Sequence, residues 1–135
     1  MVRTVLRAAL IASLAVPLWA SNALDGLVVK IKVTPDASAK EAGEKSFKDR
    51  LSFDAGRITA EESVKRGFGS TEYETHEDGP GTAFSATLVS GQEGTAVWGG
   101  TLAGKHAEGT LLWRKQDGRT FTYTFEGTAK KKKVD

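Results

Sequence analysis

His76-Glu77-Asp78 is the stretch whose residue types come nearest to chemistry. An imidazole beside two carboxylates can ligate a divalent metal or carry a proton. Residues adjacent in sequence seldom converge on one ion, however, and Gly79-Pro80-Gly81 follows, so the segment reads as a polar loop. The second histidine, His106, comes just after a turn and falls on the polar side of its segment. Ser70, Ser85 and Ser90 lack the neighbouring base and the sharp-turn motif that a serine nucleophile needs. Gly67-Phe68-Gly69-Ser70 is glycine-rich but carries no lysine at phosphate-loop spacing. Of the paired carboxylates, Glu61-Glu62 belongs to a helix start and Glu77-Asp78 to the loop. There is no cysteine, which excludes thiol redox chemistry and cysteine-ligated zinc or iron–sulfur sites. The sequence thus reads as a non-enzyme without a cofactor or metal.

The remaining candidates are aromatic. Trp98, Leu111, Trp113, Phe121, Tyr123 and Phe125 all fall on the apolar side of segments with a two-residue period. Ala96, Trp98, Gly100 and Leu102 alternate with threonine, valine and glycine. Ala107, Gly109, Leu111 and Trp113 do the same, as do Phe121, Tyr123 and Phe125 among threonines. An earlier run, Phe84, Ala86 and Leu88, follows the same rule. Apolar inside and threonine-rich outside is the pattern of a half-buried antiparallel sheet.

The connections set the register. Gly104-Lys105 suits a two-residue hairpin with glycine first. It pairs Leu102 with Ala107, Gly100 with Gly109, Trp98 with Leu111, and Ala96 with Trp113. A three-residue loop, Gln116-Asp117-Gly118, then pairs Trp113 with Phe121, Leu111 with Tyr123, and Gly109 with Phe125. A two-residue Asp-Gly turn would set Trp113 against Thr122 and turn one strand inside out. The Glu-Gly-Thr…Trp motif that occurs at 93–98 and again at 108–113 is, on this register, a product of hairpin geometry. Its two acids start from opposite ends of the sheet, and its two tryptophans share a face two rows apart.

The first half is less regular. Leu27, Val29, Ile31 and Val33 alternate with Lys30 and Lys32 in a strand. Residues 34–46 are polar and read as a loop, with a lid or short surface helix as the alternatives. Phe47, Leu51 and Phe53 share a face on which Asp49 is an exception. Asp54-Ala55-Gly56 turns into a short strand at 57–59. Thr59-Ala60-Glu61-Glu62 fits a capping box, and Lys65, Arg66 and Gly67 fit a helix end. These residues predict a short helix over 60–66 that lays Ala60, Val64 and Phe68 on an apolar surface, plugging one end of a barrel. A weaker strand follows at 71–75.

At the N-terminus, Arg3 and Arg7 precede an apolar run over 8–18, and small residues lead up to Ala23. This is the three-part pattern of a secretory signal peptide over residues 1–23, cut after Ala23, and it predicts a periplasmic or secreted protein. The run is too short for a membrane-spanning helix. Residues 24–129 then form a single domain. Of 19 basic residues, removal of Arg3 and Arg7 leaves 17, against 17 acidic ones. No basic face with aromatics among its charges is legible, so no specific nucleic-acid partner is expected. Residues 130–135, with Lys130–Lys133, read as a solvated basic tail, or as a weak contact with anionic surfaces.

About eight short strands in order, with no crossover helices, predict an all-β, antiparallel up-and-down barrel. The hairpins of residues 94–127, with tryptophans on successive strands, resemble the calycin-type barrels, the lipocalins and avidin-like proteins. The 51–73 and 93–113 stretches are also similar to a group of small exported bacterial proteins of unknown function. The resemblance implies fold and export, and it carries over no site residues. The expected function is a binding module for a small apolar or aromatic ligand, its cavity lined by Trp98, Leu111, Trp113, Phe121, Tyr123 and Phe125. The alternative is a structural or protein-interaction domain of the cell envelope whose barrel those side chains fill.

Overall fold

The computed structural model describes residues 23–132; the expected signal peptide, apart from Ala23, and the last three residues lie outside them. Nine antiparallel strands form one sheet: β1 (Leu27–Pro35), β2 (Phe47–Asp54), β3 (Arg57–Ala60), β4 (Thr71–Glu72), β5 (Glu74–Asp78), β6 (Gly81–Ser90), β7 (Gly94–Ala103), β8 (His106–Arg114) and β9 (Thr120–Lys131). Their order in the sheet is β4-β3-β2-β1-β9-β8-β7-β6-β5. The two ends of that order, β4 and β5, are separated in sequence by Tyr73 alone. They act as one bent strand, its first part on β3 and its second on β6. The result is a nearly closed up-and-down barrel, compatible with calycin-like architecture.

The expected registers hold. Leu102 pairs with Ala107, Gly100 with Gly109, Trp98 with Leu111, and Ala96 with Trp113. On the next seam Trp113 faces Phe121, Leu111 faces Tyr123, and Gly109 faces Phe125. Gly104 has φ 61° while Lys105 keeps a negative φ, as a hairpin turn with glycine first requires. Beyond Ala129, β9 continues along β1: Lys130 pairs with Val28, Lys131 with Leu27, and the Lys132 amide donates to the Gly26 carbonyl at 2.7 Å.

The interior is aromatic. One chain of ring contacts runs Tyr73–Phe53–Phe84–Phe125–Trp98, and another runs Phe68–Trp113–Tyr123–Phe47. The two glycines of the repeated motif serve different ends. Gly94 has φ 101°, and a Cβ there would lie 1.9 Å from the Arg114 carbonyl oxygen. Gly109, with Gly100 beside it, makes room for a ring: a Cβ would come within 2.7 Å of Phe125 Cζ at Gly109 and 2.8 Å at Gly100. The motif's copies also touch, since the Trp113 indole N–H donates to the Glu93 carbonyl at 2.7 Å.

The short helix is smaller than its sequence signals predict. Ala60 and Thr59 belong to β3, and only Ser63–Arg66 turns, as a 3-10 helix. Pairing of Thr59 with Ser52 removes it from the cap. Asp49 takes over: its carboxylate accepts from the Glu62 amide at 2.8 Å, the Ser63 hydroxyl at 2.7 Å and the Arg50 amide at 2.7 Å. The charged exception on the inner face of β2 is thus the cap of a turn fourteen residues later. Gly67 ends that turn in the left-handed conformation, and Phe68, not Val64, enters the barrel; Val64 is exposed. Residues 34–46 contain the helix α1 (Ala37–Glu41), capped by the Asp36 side chain and buried through Ala39.

Two substitutions test this packing. Gly109→Ala overpacks the ring of Phe125 and the facing backbone, and urea unfolding should show a loss of about 1–3 kcal/mol. Asp49→Ala takes a charged acceptor from three part-buried hydrogen bonds, and its loss should be of similar size, about 1–3 kcal/mol.

Candidate functional site

All six predicted lining residues point inward and are buried: Trp98, Leu111, Trp113, Phe121, Tyr123 and Phe125. The register sorts them by depth. Phe125 and the Trp98–Leu111 pair lie toward the middle of the barrel, while Trp113 and Phe121 form the row next to the β8–β9 loop. The deep members pack on one another, and the Trp98 indole N–H has no acceptor among the described residues. An unmade hydrogen bond of that kind costs about 1–3 kcal/mol, comparable to the gain from burying one large apolar side chain.

The outer members belong to a built mouth. Tyr123 donates its hydroxyl to Glu44, which follows α1, and Glu44 also pairs with Lys115 of the β8–β9 loop at 3.3 Å. The Lys115 ammonium lies 4.1 Å from the centre of the Trp113 ring. The Arg66 guanidinium, at the end of the 3-10 turn, stands 5.4 Å from Trp113 and 5.8 Å from Phe47. Arg119 covers Phe121 at 5.3 Å and pairs with Asp117. Cations over aromatic faces contribute about 0.5–2 kcal/mol each, more as water is excluded. Lys115 and Arg119 have carboxylate partners; Arg66 has none among the described residues. Its carbonyl is fixed by the Ser90 hydroxyl at 2.8 Å, and a cleft lined by Phe47, Lys48, Glu62, Ser63, Lys65 and Arg66 opens beside it.

The opposite end is closed by a different tyrosine. Tyr73 donates its hydroxyl to Asp25 at 2.7 Å and accepts from the Leu24 amide at 2.9 Å, while Asp25 holds the Gly56 amide at 2.9 Å. Each end therefore has one phenol that ties a segment outside the strands to the barrel.

Of the six residues expected from the sequence, Trp113, Phe121 and Tyr123 stand at this end, joined by Phe47, which the sequence reading did not single out. That reading also missed Glu44, Lys115 and Arg66, because a polar loop, a turn lysine and a helix-end arginine each look solvated alone. Of the residues first considered for chemistry, both histidines stay apart from the mouth, whereas Ser90 and Glu62 border it: His76 lies on β5 opposite Ala83, and exposed His106 contacts Glu108 at 3.3 Å. Among the described residues, no three His, Asp or Glu side chains are grouped to hold a metal. No protein-family model, no curated protein and no solved structure matches the chain.

Burial, followed by the facing carboxylate of Glu44, pushes the Tyr123 hydroxyl well above its ordinary value of 10.0, and burial with Asp25 does the same for Tyr73. A raised native value favours the protonated phenol, so the stabilisation is complete below 10.0 and is lost as pH rises beyond it. These are the only two tyrosines in the chain. In an alkaline titration, tyrosinate absorbance should stay silent past the ordinary phenol range and then rise together with unfolding. Tyr123→Phe and Tyr73→Phe should each weaken the alkaline loss of stability.

Proposed function

We propose that the protein is an exported, non-catalytic binding module that takes a small apolar or aromatic carboxylate at the mouth of a filled barrel. The observation that carries this reading is Arg66. An exposed guanidinium, stacked over Trp113 and Phe47 and lacking a carboxylate, offers a planar donor fork beside apolar surface. Trp113, Phe121 and Phe47 supply the apolar contact, and Glu44, Lys115 and Tyr123 form the latch beside it. Trp98, Leu111 and Phe125 are the floor of the site, holding the outer rings in place.

A second reading has its own support. The continuous ring contacts and the tight fit of Phe125 over Gly100 and Gly109 favour a filled barrel with a structural or protein-interaction role in the cell envelope. The calycin-type likeness fits either reading. Export is supported by the position of Leu24: it is buried against the barrel end, next to exposed Ala23, where the cut is expected.

Titration of tryptophan fluorescence with phenylacetate and laurate should show saturable binding. Arg66→Ala should weaken it about tenfold or more, in line with loss of a charge-assisted hydrogen-bonded pair. The corresponding neutral amides should bind as poorly to the native protein. No saturable signal from either acid, with bare protein in native mass spectrometry, leaves the filled structural module standing. Intact-mass measurement of protein recovered from outside the cytoplasm should show Leu24 as its first residue; a retained leader would remove the export reading.

A further inference from the structure

The barrel assembles a basic face that no single segment of the sequence displays. On the outside of β9, β1 and β2, the registers bring three stretches side by side. Lys30 stands directly across from Arg50, and Lys32 directly across from Lys48. On the other flank Lys130 pairs with Val28, one outward step from Lys30, and Glu126 pairs with Lys32. All five cations are exposed. Arg50 has a long contact with Glu61 at 3.7 Å, whereas Lys30, Lys32, Lys48 and Lys130 have no ion-pair partner among the described residues. A groove across these strands is lined by Lys30, Lys32, Lys48 and Arg50, with Glu126 and Thr128 on its β9 side and Glu61 and Glu62 at its β2 edge; Asp49, which also borders it, is buried.

Lys30 and Lys130 stand one outward step apart on β1 and β9, and crowding by Lys130 and then Arg50 pushes the Lys30 ammonium below the ordinary lysine range. Ammonium groups are donors only. Two of them close together, with a guanidinium nearby, concentrate positive charge that an anion relieves.

We infer that this face, centred on Lys30, Arg50 and Lys130, docks the protein on a bilayer surface rich in anionic phosphate headgroups. The composition of the face decides between partners. No aromatic side chain stands among the cations, so it has no platform for stacking bases. It also lacks the buried apolar or aromatic anchor on which protein interfaces depend. What it offers is charge spread over a solvated three-stranded surface, which suits a headgroup layer. This docking surface is separate from the mouth and does not depend on the ligand reading given above.

The test is co-sedimentation of the protein, as recovered from its producing cells, with vesicles at low salt. Vesicles of about one-third phosphatidylglycerol in phosphatidylcholine should bind it, and phosphatidylcholine alone should not. Each neutralised cation near such a surface costs about fivefold in partitioning, so Lys30→Gln with Lys130→Gln should lower binding about 25-fold. Removing residues 133–135 should cost no more than about fivefold, the share of one lysine. The double variant should melt no lower than the native protein, because it relieves a like-charge contact. Equal binding to neutral vesicles, an unchanged double variant, or loss of binding on removal of 133–135 alone would each overturn the proposal. So would displacement of the protein from vesicles by a single-stranded oligonucleotide at equal phosphate concentration.

Discussion

The ring of Phe125 occupies the space left by Gly100 and Gly109, and the rest of the barrel is arranged around that fit. The three residues form one row across β7, β8 and β9. Side chains alternate strictly in and out, so fixing this row fixes the face of every residue on the three strands. Leu111, Trp98 and Tyr123 form the next row, and Trp113 and Phe121 the outermost. The same small-against-large pairing that fills the interior also determines which rings reach the mouth. Burial of such side chains is worth roughly 1.5–3 kcal/mol each, and a chain with no disulfide depends on that source.

The two ends of the barrel obey a second constraint. A strand sheet leaves its ends open, and the segments outside the strands must cover them without leaving polar groups unsatisfied. Here α1 and the 3-10 turn cover one end, and the stretch around Leu24 and Asp25 covers the other. Tyr123 with Glu44 and Tyr73 with Asp25 fasten them. Asp49 plays the same part inside the wall, satisfying the amide and hydroxyl at the start of the 3-10 turn. Each of these polar contacts joins residues far apart in sequence.

That distance explains what could be read from the sequence. The hairpins of β7, β8 and β9 were legible to the residue, because period and turn chemistry are local and agree. The inward placement of all six aromatic and leucine candidates followed from them. The helix over 60–66 was over-read: Thr59 and Glu62 form a plausible local box, but strand pairing with Ser52 claims Thr59 and a remote carboxylate replaces it. Arg66 was legible as a helix-end cation and illegible as an aromatic-stacked one, since Phe47 and Trp113 come from strands on either side of it in the chain. The basic face escaped notice for a related reason. Lys30, Arg50 and Lys130 become neighbours only when β1 lies between β2 and β9.

The pairing of β1 with β9 has a kinetic consequence. The first strand has one neighbour, β2, that follows closely, and another that lies at the far end of the chain. The barrel wall cannot be completed until β9 has been made, because β1 pairs along it. Non-local closure of this kind is slow, since the entropy of joining the two ends is lost before the contacts form. The wall stays open until β9 is available, and Lys130 and Lys131, at the end of that strand, complete its pairing with the start of β1.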